Sequence, residues 1–329
     1  MTYQAAGVTL ADVQRPVVGQ LDQVTGALRD ITAADFPLIQ EVNRHLLQMK
    51  GKLFRPTLLL LANEASGNCD ARATRLAAVI ELIHLATLVH DDSVDHSVLR
   101  RGMPSVNALF SHQVSVIMGD YLYSRAIIEL VRLGDLEPLR VLSRTTNEMT
   151  VGEMRQLAQY DALAFREEDY EVTIRSKTAT LLAAACETGA LRAAPAHRAA
   201  LREYGDALGM AFQVTDDLLD YTEAESVTGK PSGNDLKEHK VTLPLIAALA
   251  RMGETQRAEV ARLFTGAPPT DEQVAAVIAM VHEHGGLATA RDRADAYAAK
   301  AEAALETLPP SAARDALHGA IAYAVERRR

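Results

Sequence analysis

Apolar side chains recur at intervals of three and four residues along most of the chain, which is the spacing of one face of an α-helix. Two clear examples are the runs Leu38, Ile39, Val42, Leu46 and Leu76, Val79, Ile80, Ile83. Alternating apolar and polar runs of strand length are hard to find. The pattern therefore predicts an all-α protein, and usual helix lengths divide its 329 residues into about ten to twelve helices.

Helix-ending residues interrupt this pattern without dividing the chain into domains. They are Gly51, Gly67, the segment Arg101–Pro104, Gly134, Pro195, the segment Thr228–Pro231 and Pro268–Pro269. Composition does not shift along the sequence, no linker rich in proline, glycine or serine is present, and no unit of about 20 to 50 residues repeats. We therefore expect a single domain over residues 1–329.

Composition and charge argue against several classes of protein. With 34 basic against 43 acidic side chains the formal net charge is −9, which argues against nucleic-acid binding. No window has the ~18 uninterrupted apolar residues of a membrane span, and no basic run precedes an apolar stretch at the N-terminus. Two cysteines, Cys69 and Cys186, are too few for a disulfide framework. We therefore expect a cytoplasmic protein in which both thiols lie in the core.

Two aspartate triplets stand out against this background. Asp91-Asp92-x-x-Asp95 and Asp216-Asp217-x-x-Asp220 each follow a helical run, and chance predicts only about 0.09 such triplets in a chain of 329 residues with 21 aspartates. At ~100° per residue, the three carboxylates of a triplet fall on one helix face. Because the negative end of a helix dipole disfavours anions, each triplet destabilises its helix unless cations lie among the carboxylates.

Carboxylates without histidine or cysteine ligands nearby favour a hard cation. Mg²⁺ keeps several water ligands and bridges protein carboxylates to phosphate oxygens, so it suits these residues better than Zn²⁺. The triplets thus predict a site for Mg²⁺, with Mn²⁺ as the other candidate, and a phosphorylated substrate. A solvated acidic surface is the alternative for either triplet alone, and it weakens when both occur in one chain.

Basic residues near predicted helix ends would balance the charge of a diphosphate. They are Lys52, Arg55, Arg100, Arg101, Lys177, Lys230 and Lys240. Arginine binds phosphate oxygens with two donors at once, and lysine adds a mobile point charge. Taken singly, each of these residues is more often a solvated surface charge.

His84 precedes Asp91 by seven residues, so it lies two helical turns, or about 10 Å, away on the same face. Glu81 lies one turn further. This position suits contact with a second substrate. A hydrogen-bonded core histidine is the alternative interpretation.

In this order, these residues resemble the trans-isoprenyl diphosphate synthases, the polyprenyl diphosphate synthase family, from about Gly51 to Pro244. The matching motifs are Gly51-Lys52-x-x-Arg55-Pro56, Glu81-x-x-His84, the first aspartate triplet, Arg100-Arg101-Gly102-x-Pro104, Gly119-Asp120-Tyr121-Leu122, Lys177-Thr178, Phe212-Gln213 with the second triplet, and Gly229-Lys230-Pro231-x-x-Asn234-Asp235. Together they are highly specific, because both acidic motifs and their basic partners are complete.

The resemblance implies an isoprenoid synthase fold, in which a single antiparallel bundle of helices surrounds a central cavity and the two triplets face each other across its mouth. It also implies a homodimer and three Mg²⁺ ions. The implied metal ligands are Asp91, Asp95, Asp216, Asp217 and Asp220. The allylic diphosphate would be held by Arg100, Lys177, Lys230 and Lys240, and isopentenyl diphosphate by Lys52, Arg55, His84 and Arg101. The implied catalytic residues are Asp91, Asp92, Asp95, Lys177, Thr178, Gln213 and Asp216, with Thr178 and Gln213 near the reacting carbons.

The implied reaction is the repeated head-to-tail trans 1'-4 condensation of an allylic diphosphate with isopentenyl diphosphate. Chain length would depend on the cavity floor before Asp91, where this sequence has Ala86 and Thr87. In the family, a bulky aromatic residue five positions before the first aspartate stops elongation early. Ala86 therefore resembles the long-chain synthases that make precursors of quinone side chains, although ordinary helix packing explains an alanine equally well.

Four other functions stay open at this point. The same fold also makes short farnesyl or geranylgeranyl diphosphates, and it supports terpene cyclases, against which the second complete triplet and the residues for isopentenyl diphosphate argue. A non-catalytic partner subunit would tolerate the loss of acidic ligands, and none is lost. A carboxylate-bridged di-iron bundle would need Glu-x-x-His on two helices, and the chain has only Glu81-x-x-His84.

Overall fold

The computed structural model describes residues 7–49, 51–67, 69–157, 162–222, 233–265 and 268–326, and the protein is almost entirely helical within them. The α-helices are α1 (Leu10–Gln14), α2 (Val18–Thr32), α3 (Pro37–Gln48), α4 (Phe54–Ala65), α5 (Ala73–Val94), α6 (Val106–Leu109), α7 (His112–Arg132), α8 (Leu136–Leu157), α9 (Glu167–Ile174), α10 (Thr180–Gly189), α11 (Pro195–Thr222), α12 (Asn234–Lys237), α13 (Leu243–Leu249), α14 (Glu254–Leu263), α15 (Asp271–Glu283), α16 (Gly286–Leu305) and α17 (Ala312–Val325). A 3₁₀ turn (Arg15–Val17) joins α1 to α2, a second one (Ala162–Ala164) precedes α9, and a π-helical turn (Arg175–Ala179) joins α9 to α10. The predicted all-α class is confirmed.

Within the described ranges, twelve helices have ten residues or more, which matches the predicted number. The shorter helices come in addition, because periodicity cannot reveal a helix of one or two turns. The only strands in the same ranges are β1 (Leu99–Arg100) and β2 (Met103–Pro104), which pair antiparallel directly after α5. The chain reverses there at Gly102, whose φ of 76° is natural for glycine.

Helix α5 runs through the core and carries the first aspartate triplet at its C-terminal end. Val79, Ile80 and Leu82 point to different sides of the helix, and each is 0% exposed. Among the described helices, α5 alone is long and apolar enough to cross a membrane, but most of this apolar stretch is buried inside the protein. It therefore has the character of a core helix, packed against α2, α4 and α7.

Helix α11 carries the second triplet and packs tightly on α10 and α16. A Cβ atom at Gly209 would lie 2.5 Å from the Cα of Ala179, and one at Gly205 would lie 2.6 Å from the carbonyl oxygen of Leu182. Only glycine permits these approaches, because protein interiors are close-packed. The second half of α11 is thereby held against the π-helical turn.

Three apolar clusters hold the helices together. The first and largest unites α1 to α8 with α10, α11, α16 and α17. The second joins α9 and the π-helical turn to α11, α13 and α16, and the third joins α12 to α15 with the end of α11. The assignment of residues 1–329 to one domain stays a prediction.

Most predicted helix breaks coincide with the ends of helices. Gly67 follows α4 with φ 77°, Gly134 follows α7 with φ 69°, and Pro195 begins α11. Glycine adopts this left-handed conformation without steric cost, which explains its place after a helix. The break predicted at Thr228–Pro231 lies outside the described residues.

The two cysteines occupy different environments. Cys186 is buried in α10, as predicted, and burial raises the pKa of its thiol. The expectation of a core position is wrong for Cys69, which is exposed. Cys69 lies in the connection between α4 and α5, so it is outside the apolar face of either helix.

Candidate active site

The two aspartate triplets lie at helix C-termini, as the sequence predicts. Asp91 and Asp92 are in the last turn of α5, Asp95 is the residue after it, and Asp216–Asp220 occupies the end of α11. Both helices are described in full, and their last turns contain no lysine or arginine. The carboxylates therefore meet the negative ends of two helix dipoles without a basic side chain in the same helix turn.

In the first triplet, one carboxylate is paired and two lack such a partner. Arg100 Nε donates to the two oxygens of Asp92 at 2.7 and 2.8 Å, and Asp92 is 4% exposed. Burial and the charge of Glu153 raise the pKa of Asp91 to about 6. Asp95 is exposed. Arg100, predicted to bind a diphosphate, thus lies at the first triplet before any substrate arrives.

The π-helical turn directs Lys177 and Thr178 to two different helices. Lys177 Nζ donates to Gln156 Oε1 at 2.8 Å and pairs with Glu153 at 3.0 Å, both on α8. Thr178 donates to Gln213 Oε1 on α11 at 2.9 Å. Turns of this kind recur at functional sites because the extra residue redirects neighbouring side chains. Here it connects the helix beside Asp91 with the helix of the second triplet.

Asp217 is a buried member of the second triplet, 6% exposed. Tyr170 donates its hydroxyl to Oδ2 at 2.5 Å, and Gln213 Nε2 donates to Oδ1 at 2.8 Å. Burial and the charge of Asp235 raise the pKa of Asp217 well above its ordinary value. Both oxygens of this carboxylate thus accept hydrogen bonds from the protein itself.

A fourth carboxylate joins the second triplet. Asp220 accepts the backbone N–H groups of Asn234 at 3.1 Å and Asp235 at 3.0 Å, which ties the start of α12 to the end of α11. Burial raises the pKa of Asp220, and burial together with the charge of Asp220 raises the pKa of Asp235 to about 7. Asp216 lies partly exposed beside them. The end of α11 therefore concentrates negative charge.

Lys240 connects the two acidic groups electrostatically. Its Nζ lies 2.6 Å from Glu238 Oε2. Burial lowers the pKa of Lys240, but the hydrogen bond to Glu238 and the charges of Glu238, Asp235 and Asp95 outweigh burial and raise it. Asp95 belongs to the first triplet and Asp235 adjoins the second, so both acidic groups lie near one ammonium group. Lys230, predicted for the same substrate, lies outside the described residues.

A second polar group, formed by Arg55, Glu81, His84 and Arg101, lies where α4 and α5 meet the β1–β2 turn. Glu81 is 3% exposed, and burial raises its pKa although Arg55 and Arg101 oppose the rise. Burial lowers the pKa of Arg55 to about 10, and its buried Nε has no hydrogen-bond partner. Burial and then the neighbouring arginines lower the pKa of His84 well below its usual value. The unpaired guanidinium donor and the surplus positive charge suit an anion.

Gly51 lets this polar group close up. A Cβ there would lie 2.9 Å from Arg101 Nη1 and 3.1 Å from Glu81 Oε1. The same arginine nitrogen donates to the carbonyl oxygen of Met49 at 3.1 Å. Lys52 follows Gly51 and is exposed. The residues predicted for isopentenyl diphosphate therefore gather on one side of α5.

Strained backbone marks the same two regions. The non-glycine residues with positive φ in the described part of the chain are Leu53 (48°), His96 (51°), Arg101 (53°) and His239 (57°). Each is, or directly adjoins, one of the predicted ligands Lys52, Asp95, Arg101 and Lys240. Such conformations cost ~1–3 kcal/mol each and persist where the surroundings enforce them, typically at functional sites.

The two residues predicted to set chain length differ in environment. Ala86 is 0% exposed in the largest apolar cluster, with no room for water beside it. Thr87 is partly exposed, and its hydroxyl donates to the carbonyl oxygen of His84 at 2.8 Å. By helical spacing, Thr87 shares a face with His84 and Asp91, whereas Ala86 does not. The role of both residues in chain length stays a prediction.

The donor chemistry of the triplets fits a hard divalent cation. Their carboxylate oxygens carry charge that burial and like-charged neighbours make unfavourable, as the raised pKa values of Asp91 and Asp220 show. In the described ranges, no cluster of three or more histidine, cysteine or acidic side chains is arranged to bind a metal ion by itself. Mg²⁺ is commonly held by one or two carboxylates together with substrate phosphates, so such a cluster is not needed.

Sequence reasoning missed several residues of this site: Glu153, Gln156, Tyr170, Asp235 and Glu238. Asp235 stood inside a recognised motif, so the motif itself was the available signal. Glu153 and Gln156 are three residues apart on one helix face, a spacing that marks neighbours but not their partner. No sequence pattern pointed to Tyr170, because its partner Asp217 lies 47 residues away and local spacing cannot show that the two side chains meet.

Helices that bring two aspartate triplets and separate basic groups together define the isoprenoid synthase class of all-α proteins. The chain resembles the all-trans-nonaprenyl-diphosphate synthase (geranyl-diphosphate specific) of Rhodobacter capsulatus, with 38% identity over 96% of this chain and 97% of that protein. It is also 38% identical to the octaprenyl diphosphate synthase of Escherichia coli K12, over 93% and 95% of the two chains.

Solved structures give the same result. A decaprenyl diphosphate synthase from Rhodobacter capsulatus matches with a TM-score of 0.92 and 36% identity, and the match covers 98% of this chain and 100% of that chain. A polyprenyl synthase from Caulobacter crescentus, complexed with calcium and isoprenyl diphosphate, matches with a TM-score of 0.91 and 35% identity over 98% of both chains. The polyprenyl synthetase family model matches residues 36–281. The chain belongs to the polyprenyl synthetase family, and it is a prenyltransferase.

Proposed function

We propose that the protein condenses an allylic diphosphate with isopentenyl diphosphate in repeated head-to-tail trans (E) 1'-4 additions, giving a long-chain polyprenyl diphosphate that serves as a precursor of quinone side chains. The observation that carries the proposal is that Lys240 interacts with Asp95 of the first triplet and with Asp235, whose backbone N–H is bound by Asp220 of the second, while a separate cationic group surrounds Arg55 and Arg101. Two sites for two diphosphates are what this condensation requires. Relatives named octaprenyl and nonaprenyl diphosphate synthases support the long product.

The residues divide the chemistry between them. The carboxylates of the two triplets would hold divalent cations, three Mg²⁺ ions in our proposal, which would supply Lewis acidity to the departing diphosphate. Arg100, Lys177 and Lys240 add fixed positive charge to the same leaving group. The allylic carbocation then meets the double bond of isopentenyl diphosphate near Thr178 and Gln213, in an apolar space that excludes water. The released diphosphate, already in place, accepts the final proton.

The product made from farnesyl diphosphate and excess isopentenyl diphosphate tests this function directly. With Mg²⁺ present, mass spectrometry should find polyprenyl diphosphates well beyond geranylgeranyl diphosphate, and EDTA should stop the reaction. A product that ends at geranylgeranyl diphosphate would favour the short-chain alternative. A cyclic hydrocarbon formed without isopentenyl diphosphate would favour a terpene cyclase. Replacing Mg²⁺ by Mn²⁺ in the same assay ranks the two metals.

We also propose that two copies of the chain form a homodimer through α7 and α8. These helices expose large apolar side chains in solvent, among them Ile117 (67%), Val131 (63%) and Met154 (62%). Apolar patches of this kind mark interfaces between proteins. The α7–α8 surface is a candidate for the assembly that is usual in this family.

Charge placed in the α7–α8 surface should dissociate the dimer. In Val131→Asp/Met154→Asp, sedimentation at micromolar concentration should give the mass of one chain, because two buried carboxylates are costly at an apolar interface. Val18→Asp is the matched control, since Val18 is 59% exposed and lies at the start of α2, outside α7 and α8. An unchanged dimer mass in the double variant would place the interface elsewhere.

A further inference from the structure

A chain of three hydrogen bonds crosses the floor of the second triplet. Tyr170 on α9 donates to Asp217 Oδ2 at 2.5 Å, Gln213 Nε2 donates to Asp217 Oδ1 at 2.8 Å, and Thr178 donates to Gln213 Oε1 at 2.9 Å. Tyr170 is 3% exposed and Asp217 is 6% exposed, so water competes little for these bonds. The chain ties together α9, α11 and the π-helical turn.

The donors and acceptors fix which way the Gln213 amide points. Both oxygens of Asp217 accept hydrogen bonds, one from Tyr170 and the other from the NH₂ group of Gln213, so the NH₂ group lies on the Asp217 side. The amide oxygen must then face Thr178, whose hydroxyl donates to it. A reversed amide would set its oxygen against a carboxylate oxygen, and both partners would lose a bond. Asp217 thus sets the orientation of Gln213, and Tyr170 holds Asp217.

We propose that Tyr170 is a positioning residue: by anchoring Asp217, it keeps the amide oxygen of Gln213 turned toward the reacting carbons. This inference rests on the proposed prenyl transfer, in which a carbocation develops beside Thr178 and Gln213. An amide oxygen pointing at that charge stabilises it, whereas an NH₂ group in its place would oppose it. Asp217 then acts through Gln213, in contrast to the metal-ligand role that the sequence resemblance implies for it.

Removing one hydroxyl tests the first half of the proposal. Tyr170→Phe is expected to lower kcat by about ten- to a hundredfold, the scale of one lost oriented contact, with KM for both diphosphates within about twofold of wild type. Tyr204→Phe is the matched control, because Tyr204 is also buried and its hydroxyl donates to the carbonyl oxygen of Leu317 at 2.8 Å, away from the triplets. If both variants lose a similar amount of melting temperature but only Tyr170→Phe loses kcat, the result supports a positioning role for Tyr170. Equal kcat in the two variants overturns it.

A charge-neutral exchange tests the second half. In Asp217→Asn, Tyr170 is expected to keep donating to the remaining side-chain oxygen, which leaves the new NH₂ group facing position 213 and turns the Gln213 amide around. We then expect kcat to fall as in Tyr170→Phe or further. Asp217→Asn combined with Gln213→Glu restores an acceptor toward Thr178 and keeps the net charge. We expect this double variant to recover at least tenfold of the lost kcat.

Metal binding is measured separately, by the electron paramagnetic resonance of Mn²⁺ titrated in the presence of inorganic pyrophosphate. The number of bound ions should be the same in wild type, Asp217→Asn and the double variant. A lost ion in Asp217→Asn, with no recovery of kcat in the double variant, makes Asp217 a metal ligand and overturns the inference. If the wild-type protein transfers no prenyl group, the proposed function fails instead, and that result is recognised before any variant is compared.

Discussion

Replacing Asp91 or Asp216 by alanine is expected to lower turnover by about a thousandfold or more, because each change removes carboxylate oxygens that, in our proposal, hold divalent cations against the leaving diphosphate. The fold should remain. Each change also removes an anion from the negative end of a helix dipole, a contribution of ~0.3–1 kcal/mol in favour of the variant. Steady-state transfer of labelled isopentenyl diphosphate measures the first effect, and circular dichroism during heating measures the second.

Asp22→Ala is the control for both changes, because Asp22 is an exposed aspartate on α2, away from the triplets. Its turnover and melting temperature should match the wild type. Wild-type turnover in either triplet variant would remove the metal assignment from that aspartate. A large loss of helicity would instead show that the triplet supports the fold.

Aromatic residues at the predicted cavity floor should shorten the product. Thr87→Phe places a ring on the α5 face shared with His84 and Asp91, where it blocks the growing chain. Ala86→Phe and Ala86→Tyr should act in the same direction, at ~1–3 kcal/mol of stability, because Ala86 is already enclosed. The expected result is a mass spectrum shifted to products shorter by several isoprene units, with the rate of the first condensation retained.

Thr87→Val controls for the loss of the threonine hydroxyl at nearly constant volume. Its product distribution should equal that of the wild type. If all three aromatic variants make the wild-type product, then the floor lies deeper, and Tyr123 and Ile127 on α7 become the next positions to enlarge. If they fail to fold, Thr87→Leu offers a smaller step with the same expected direction.

The fold class and the acidic part of the site followed from sequence because both depend on local spacing. Three- and four-residue periodicity gives helices, and a triplet on one helix face needs no knowledge of the neighbouring helices. Asp91 and Asp216 therefore could be found without a structure. The single domain and the cytoplasmic location also came from composition, and both stay predictions.

The sequence could not predict which side chains contact each other between different helices. Lys177 contacts Glu153 and Gln156 on α8, and the π-helical turn that directs it there has no periodic signature. The partial burial of Lys240 and the pairing of Arg100 with Asp92 likewise depend on how distant segments pack. Cys69 shows the converse error, since an apolar residue type was expected inside and lies in an exposed connection.

The residues with left-handed backbone beside the predicted ligand-binding side chains have a consequence for thermal inactivation of the enzyme. The left-handed backbone at Leu53 and His96 carries a conformational cost that the buried parts of the helices do not, so we expect these turns to loosen at a lower temperature than the helices unfold. On gradual warming, activity should disappear while most of the helical signal persists. Heat would then inactivate the enzyme at its active site before the helices unfold. Cooling should restore the activity as long as the helical bundle has remained folded.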